Sequence, residues 1–319
     1  MSEHQTALVA GGSRALGLLI ATELAGRGFH VEVCARDGAE LERARTQLAE
    51  QGLTIGITVC DVSDARAVRE WVEDTGDPSR PTMVALHVAG VIQVGPMSAV
   101  TPETYGEALD IMAKGPAHLV LAALPAMREQ GFGRIGIISS IGGVVPVPHL
   151  VPYTAAKFAA AGLGQSLYAE LSGTGVTVTT VLPPVMRLGS HLHAQFSGDR
   201  AKEYAWFGPG ASLPIIALDG RTAARRIVHG VLAGKPVLGL SPLTHVAMRV
   251  HGVAPASTTR LLGLVGRLLP SNEATAPPLA GRDVRRRHPN RVVRMLTMAG
   301  DAMARRTNER HRAVTDPEG

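Results

Sequence analysis

The sequence predicts a doubly wound α/β fold, a parallel sheet of about seven strands with helices on both faces, followed by a helical C-terminal extension. Two observations carry this expectation. Short runs rich in Val, Ile and Leu alternate with helical stretches along residues 6–240, as expected of strands buried on both faces and joined by right-handed crossovers. The first of these runs ends in a glycine-rich turn, Gly11 to Gly17, that opens a helix.

The strands are read as Thr6–Val9, His30–Ala35, Ile55–Cys60, Met83–His87, Arg134–Ser139, Val176–Leu182 and Val237–Leu240. Asp37 stands where it can cap a helix that stops at Gly52, and Thr101 precedes a proline suited to a first helical position. With 319 residues, 45% of them hydrophobic, the chain can bury one sizeable domain plus appendages. Residues 1–240 are assigned to the catalytic domain, including a lid at about 185–220, and residues 241–319 to the extension. That extension holds an apolar helix candidate (STTRLLGLVGRLLP), a polar linker (SNEATAPPLAGRD) and a basic amphipathic stretch.

Charge is unevenly placed. Ten arginines face five acids from Gly281 onward, which accounts for the whole net charge of +5. This predicts a solvated tail that folding and cofactor binding can spare, with no nucleic-acid partner and at most a weak contact with acidic membranes. The chain start lacks a basic region followed by an apolar stretch, and no run of about 18 apolar residues occurs. Only Cys34 and Cys60 are present, both in expected strands, so a reducing cytoplasm is expected. Four lysines against 28 arginines, with abundant Ala and Gly, suggest a GC-rich bacterial genome.

The chemistry is concentrated in three places. In ALVAGGSRALG, Gly11 frees the turn and Gly17 lets the helix pack closely, so that backbone N–H groups and a helix N-terminus can meet a pyrophosphate. In VPYTAAKFAAAG, Tyr153 and Lys157 share one helical face, and Ser140 lies thirteen residues before the tyrosine at a strand end. A tyrosine with a pKa near ~10 needs a cation to act at neutral pH, and Lys157 supplies one. Ser140 can hold a substrate oxygen by a hydrogen bond.

With these residues in this order, the chain resembles the short-chain dehydrogenase/reductase family from about Thr6 to Leu240. The resemblance implies a Rossmann-type fold, catalysis by Ser140, Tyr153 and Lys157, and a homodimer or homotetramer built on residues 102–129 and 153–172. It implies cofactor contacts at Gly11, Ser13, Arg14, Leu16 and Gly17, at Asp61 and Val62, at Ala89 and Gly90, at Pro183 and Val185, and at Tyr153 and Lys157. The second strand ends in EVCARDG, so Arg36 stands where a carboxylate would select NAD, and Arg14 faces the same corner. Two guanidinium groups favour the extra phosphate of NADP, which makes NADPH the expected cofactor.

Four departures from the family pattern bear on use of that cofactor. Ala15 replaces a glycine, HVAG (His87 to Gly90) replaces a turn with two asparagines, Met112 stands at the place of a catalytic-helix asparagine, and Pro184 replaces a glycine. Substrate contacts are expected from His149 and from the aromatic cluster of Phe196, Trp206 and Phe207 with Tyr204. His191 and His193 lack a further ligand set, so no metal is expected. The reading that follows is an NADPH-dependent reductase or dehydrogenase interconverting a ketone or aldehyde and an alcohol on a bulky apolar substrate, in lipid or secondary metabolism. Its alternatives are a non-redox dehydratase, isomerase or cyclase of the same fold, and a nucleotide-binding regulatory protein.

Overall fold

The computed structural model describes residues 5–77, 79–213, 217–270 and 277–309. At its centre is a parallel sheet of β1 (Thr6–Ala10), β2 (His30–Ala35), β3 (Ile55–Val59), β4 (Thr82–His87), β5 (Gly133–Ile138), β6 (Val176–Leu182) and β7 (Val237–Gly239). Their order across the sheet is β3-β2-β1-β4-β5-β6-β7, with every pairing parallel. Each strand falls within about a residue of its expected place because the signal was strong: all five residues of β1 are buried. The order changes direction between β1 and β4, and this opens a crevice at the carboxyl ends of the strands.

Helices α1 (Ala15–Ala25) and α2 (Gly38–Ala49) cover one face together with α8 (Gly220–Leu232). The other face is covered by α3 (Ala65–Asp74), α4 (Pro102–Leu109), α5 (Gly115–Glu129) and α6 (Val151–Glu170). The caps are where the residue types place them: Asp37 accepts from the Glu40 N–H at 2.9 Å, and Thr101 from the Thr104 N–H at 3.2 Å. Between α4 and α5 the chain makes a π-helical turn at Asp110–Lys114, closed by the Gly115 N–H on the Asp110 carbonyl.

A third, smaller core lies beside the crevice. The segment expected to form a lid carries α7 (Arg200–Gly210), and its strand Gln195–Phe196 is sandwiched between Gln93–Val94, from the loop after β4, and Leu279–Ala280. Phe196, Tyr204, Val94 and Leu150 pack there with Val284 of α11 (Gly281–Arg287) and Val293 of α12 (Arg291–Arg306). After β7, α9 (Pro242–Val253) and α10 (Pro255–Gly266) extend outward.

The basic segment from Gly281, expected to stand apart, is thus built into the fold as far as residue 309. Asp301 accepts from Arg285 at 2.6 Å and meets His191 at 3.1 Å. The Ala15 N–H donates to the Thr307 carbonyl at 2.9 Å, and Asn308 Nδ2 donates to the carbonyls of Ser13 (2.8 Å) and Glu40 (2.9 Å). The segment is amphipathic: α12 turns Val293, Thr297, Gly300, Met303 and Ala304 inward. The four arginines of α12 lie on its outer face. The residues after 309 and the first six residues of the linker, 271–276, lie outside the described residues.

Candidate active site

The end of β1 delivers the glycine turn into the crevice. Gly11 has φ +86°, and a Cβ there would lie 2.5 Å from the Ala89 backbone nitrogen. Only glycine allows the two loops this approach. A Cβ on Gly17 would fall 2.0 Å from the Gly11 carbonyl oxygen, so the start of α1 also depends on a bare backbone. Ala15 has φ +49°, a left-handed conformation that glycine adopts without penalty. Its amide, one of the unpaired donors at a helix start, is satisfied by the Thr307 carbonyl.

A cleft of about 560 Å³ runs from this turn to Tyr153, and every position expected to touch cofactor lines it. At its polar end stand Arg14, Arg36, Asp61 and Glu40. Asp61 accepts from the Ser63 N–H (2.9 Å) and hydroxyl (2.7 Å). Burial would raise its pKa, but those hydrogen bonds and Arg36 hold it below the usual value. Arg36 is 58% exposed and reaches Asp61 only at 4.0 Å. Arg14 is held more firmly, by Glu40 at 3.2 Å and His193 Nδ1 at 3.2 Å. Burial, then Arg14, lowers the His193 pKa to about 4, so the ring is neutral, accepting at Nδ1 and donating from Nε2 to the Glu309 carbonyl at 3.0 Å. The Ser13 hydroxyl donates to Glu40. Glu40, not among the residues the sequence pointed to, organises this corner; it lies 27 positions beyond Ser13, past α1 and β2, and no sequence pattern marks the contact.

Ser140, Tyr153 and Lys157 meet at the other end of the cleft. Ser140 lies two residues past the end of β5 and its Oγ accepts from the Gly142 N–H at 3.1 Å. Tyr153 and Lys157 come from the first two turns of α6. Burial raises the Tyr153 pKa, and a hydrogen bond with Ser140 opposes the rise. Lys157 Nζ lies 5.8 Å from the tyrosine ring centre and donates to the Ile138 carbonyl at 2.7 Å. Burial lowers its pKa to about 8, which leaves it largely charged at neutral pH. His87 is buried, neutral and packed against Gly115; desolvation, then the Lys157 charge, lowers its pKa to about 3. Met112 is buried inside the π-helical turn, with its sulfur toward Gly90.

The expected substrate residues separate. Phe207 lines the cleft together with Val147, Leu150, Met186 and Leu188. Phe196 is fully buried in the third core, stacked edge-on against Tyr204 and Phe207. His149 and Trp206 are absent from the cleft wall and bind Glu203 instead, each at 2.7 Å. Glu203 is fully buried; desolvation raises its pKa against the pull of these two partners. His149 thereby fastens α7 to the loop before α6, while Trp206 holds Glu203 from within α7 itself.

The strand order, the bare-backbone loop and the Ser-Tyr-Lys group on one cleft define a Rossmann-fold nicotinamide oxidoreductase. The short chain dehydrogenase family model matches residues 5–198. The chain belongs to the short-chain dehydrogenase/reductase family. It is 33% identical to a 3-dehydrosphinganine reductase of Arabidopsis thaliana over 271 residues, 81% of this chain and 82% of the relative. It is 31% identical to dehydrogenase/reductase SDR family member 4 of Bos taurus over 196 residues, 58% of this chain and 67% of that protein. An actinorhodin polyketide ketoreductase solved with NADPH superposes with a TM-score of 0.65 at 26% identity, covering 75% of this chain and 97% of that one.

Proposed function

We propose that the protein is an NADPH-dependent reductase of a ketone or aldehyde, reversible as an alcohol dehydrogenase, on a bulky apolar substrate. The observation that carries the redox assignment is the meeting of Ser140, Tyr153 and Lys157 at one end of a cleft whose other end is a glycine turn. The reduced nicotinamide, when bound, supplies hydride to the carbonyl carbon. Ser140 and Tyr153 are placed to bind the carbonyl oxygen, and the Tyr153 hydroxyl gives it a proton. The Lys157 ammonium stabilises the phenolate that remains. The π-helical turn at Met112 favours turnover, since the helix breaks at this place without an asparagine side chain. This weighs against the non-redox alternatives.

NADPH is favoured by Arg36, exposed at the end of β2, and by Arg14 beside it. The neighbouring carboxylate that could bind ribose hydroxyls, Asp37, is occupied as the cap of α2, and Glu40 is occupied by Ser13 and Arg14. The 3-dehydrosphinganine reductase relative and the polyketide ketoreductase neighbour favour a ketone of the sphinganine or polyketide kind. The apolar wall of Val147, Leu150, Leu188 and Phe207 suits either. A homodimer or homotetramer through α4, α5 and α6, and a cytoplasmic setting that keeps the two thiols reduced, complete the reading.

The test is fluorescence titration of NADPH and NADH with wild type and Arg36→Ala. Wild type is expected to prefer NADPH by about tenfold or more, from a charged hydrogen bond of roughly 1.5–3 kcal/mol, and Arg36→Ala to lose that preference. Equal affinities in wild type would overturn the NADP assignment.

A further inference from the structure

Helices α9 and α10 carry their apolar side chains on the outside. On α9, Leu243, Val246, Val250 and Val253 are 67%, 57%, 53% and 87% exposed. Their spacing of three, four and three residues makes one continuous stripe. Leu261, Leu264, Val265 and Leu268 repeat the pattern along α10 and the turn after it, and α10 buries no residue at all. Between Ser241 and Pro270 the chain has exposed arginines at 249, 260 and 267 and no aspartate or glutamate.

The hairpin is seated at the substrate end of the cleft. The His251 ring meets Phe158 of α6 edge-on at 6.4 Å, and Gly266 lies against Pro148, where a Cβ would be 3.4 Å away. Val147 and Leu150, on either side of that proline, line the cleft.

We propose that the α9–α10 hairpin lies in the interface of an anionic lipid bilayer, as a surface anchor. An apolar stripe edged by cations and free of carboxylates fits a bilayer, whose acyl boundary takes the leucines and valines while its headgroups take the arginines. A second copy of the hairpin fits poorly, because the segment has no acid to meet the partner's arginines across a self-paired face. Among the described residues no helix is long and apolar enough to cross a membrane, so the contact is interfacial. The basic tail, which the charge count singled out, is the weaker candidate: part of its charge is already spent, on the Arg285–Asp301 pair. The proposal rests on this surface and not on the redox assignment.

Co-sedimentation of the full chain with vesicles of phosphatidylcholine alone, or mixed with phosphatidylglycerol, tests it. Wild type is expected to bind only the anionic vesicles, and less at high salt. Replacing Arg249, Arg260 and Arg267 by Gln should weaken binding by about tenfold or more, and Leu243→Asp with Leu264→Asp should abolish it. The paired variant Arg291→Gln, Arg294→Gln on the tail should bind as wild type does. All these side chains face solvent, and a circular-dichroism melt checks that each variant folds; should the aspartate pair melt early, the arginine set decides. The proposal fails if wild type ignores anionic vesicles at low salt, if the hairpin variants bind unchanged, or if only the tail variant loses binding. It also fails if wild type ignores vesicles while Leu243→Asp with Leu264→Asp lowers the oligomeric state in sedimentation velocity, for then a second copy covers the face.

Discussion

Asn308→Ala is expected to cost about 2–5 kcal/mol of stability, because Asn308 holds the glycine turn from the far end of the described chain. Its Nδ2 donates to the Ser13 and Glu40 carbonyls, and its Oδ1 accepts from Arg43 Nε at 3.3 Å. The two shorter bonds contribute about 0.5–1.5 kcal/mol each, or about 1–3 kcal/mol together. Asn308 also sits at φ +58°, which asparagine tolerates and alanine adopts at a cost of roughly 1–2 kcal/mol. Asn308→Gly separates the two causes: it loses the same hydrogen bonds but not the backbone conformation, so it should be more stable than the alanine variant by about 1 kcal/mol. Urea unfolding of the full chain gives both differences, and NADPH titration reads the consequence at the cleft, where a loosened turn should weaken affinity several-fold. If both variants unfold within about 0.5 kcal/mol of wild type and bind NADPH equally well, the clasp described above does not hold the turn.

Other perturbations address the remaining departures and the buried charges. Ala15→Gly should leave stability unchanged or raise it by up to about 1 kcal/mol, since relief of the left-handed backbone, roughly 1–2 kcal/mol, exceeds the entropy glycine adds to the unfolded chain, about 0.4–1 kcal/mol; a loss above about 1 kcal/mol in urea unfolding contradicts it. Tyr153→Phe should lower carbonyl-dependent NADPH oxidation by about a hundredfold or more, whereas Met112→Asn should change it by less than about tenfold. Should wild type bind NADPH yet reduce no ketone or aldehyde while Met112→Asn does so, the non-redox reading replaces this one. The Glu309 pKa is raised to about 7 by burial, against the Gly189 and Thr307 hydrogen bonds that lower it. The folded state therefore holds this proton more tightly than the unfolded chain does, and the stability it contributes is present below the ordinary carboxylate range and is lost as pH rises through 7. Relative to Glu309→Gln, wild type should lose up to about 3 kcal/mol between pH 5 and 8, read from urea midpoints; parallel curves would mean that the group does not titrate there.

The seven strands, the glycine turn and the Ser140, Tyr153, Lys157 group were legible in the sequence because each depends on local rules. A strand buried on both faces must be apolar along its length, a turn with φ +86° needs Gly11, and residues four apart on a helix share a face. The tertiary structure decided the rest. Phe196 and Phe207 sit close together in sequence, yet one is sealed in a core shared with Val293 while the other faces the cleft, a choice made by the strand pairing of Leu279 with Phe196. His149 was read as a substrate contact, but its partner Glu203 lies fifty-four positions away, beyond any periodicity. The tail's arginines signalled a separable extension because a charge count registers the solvent face of α12 and is blind to the inner stripe that seats it. Thr307 and Asn308 bear no motif at all; they reach the glycine turn only because α12 packs against α7 and ends there, and backbone carbonyls and amides accept any partner the fold brings within reach.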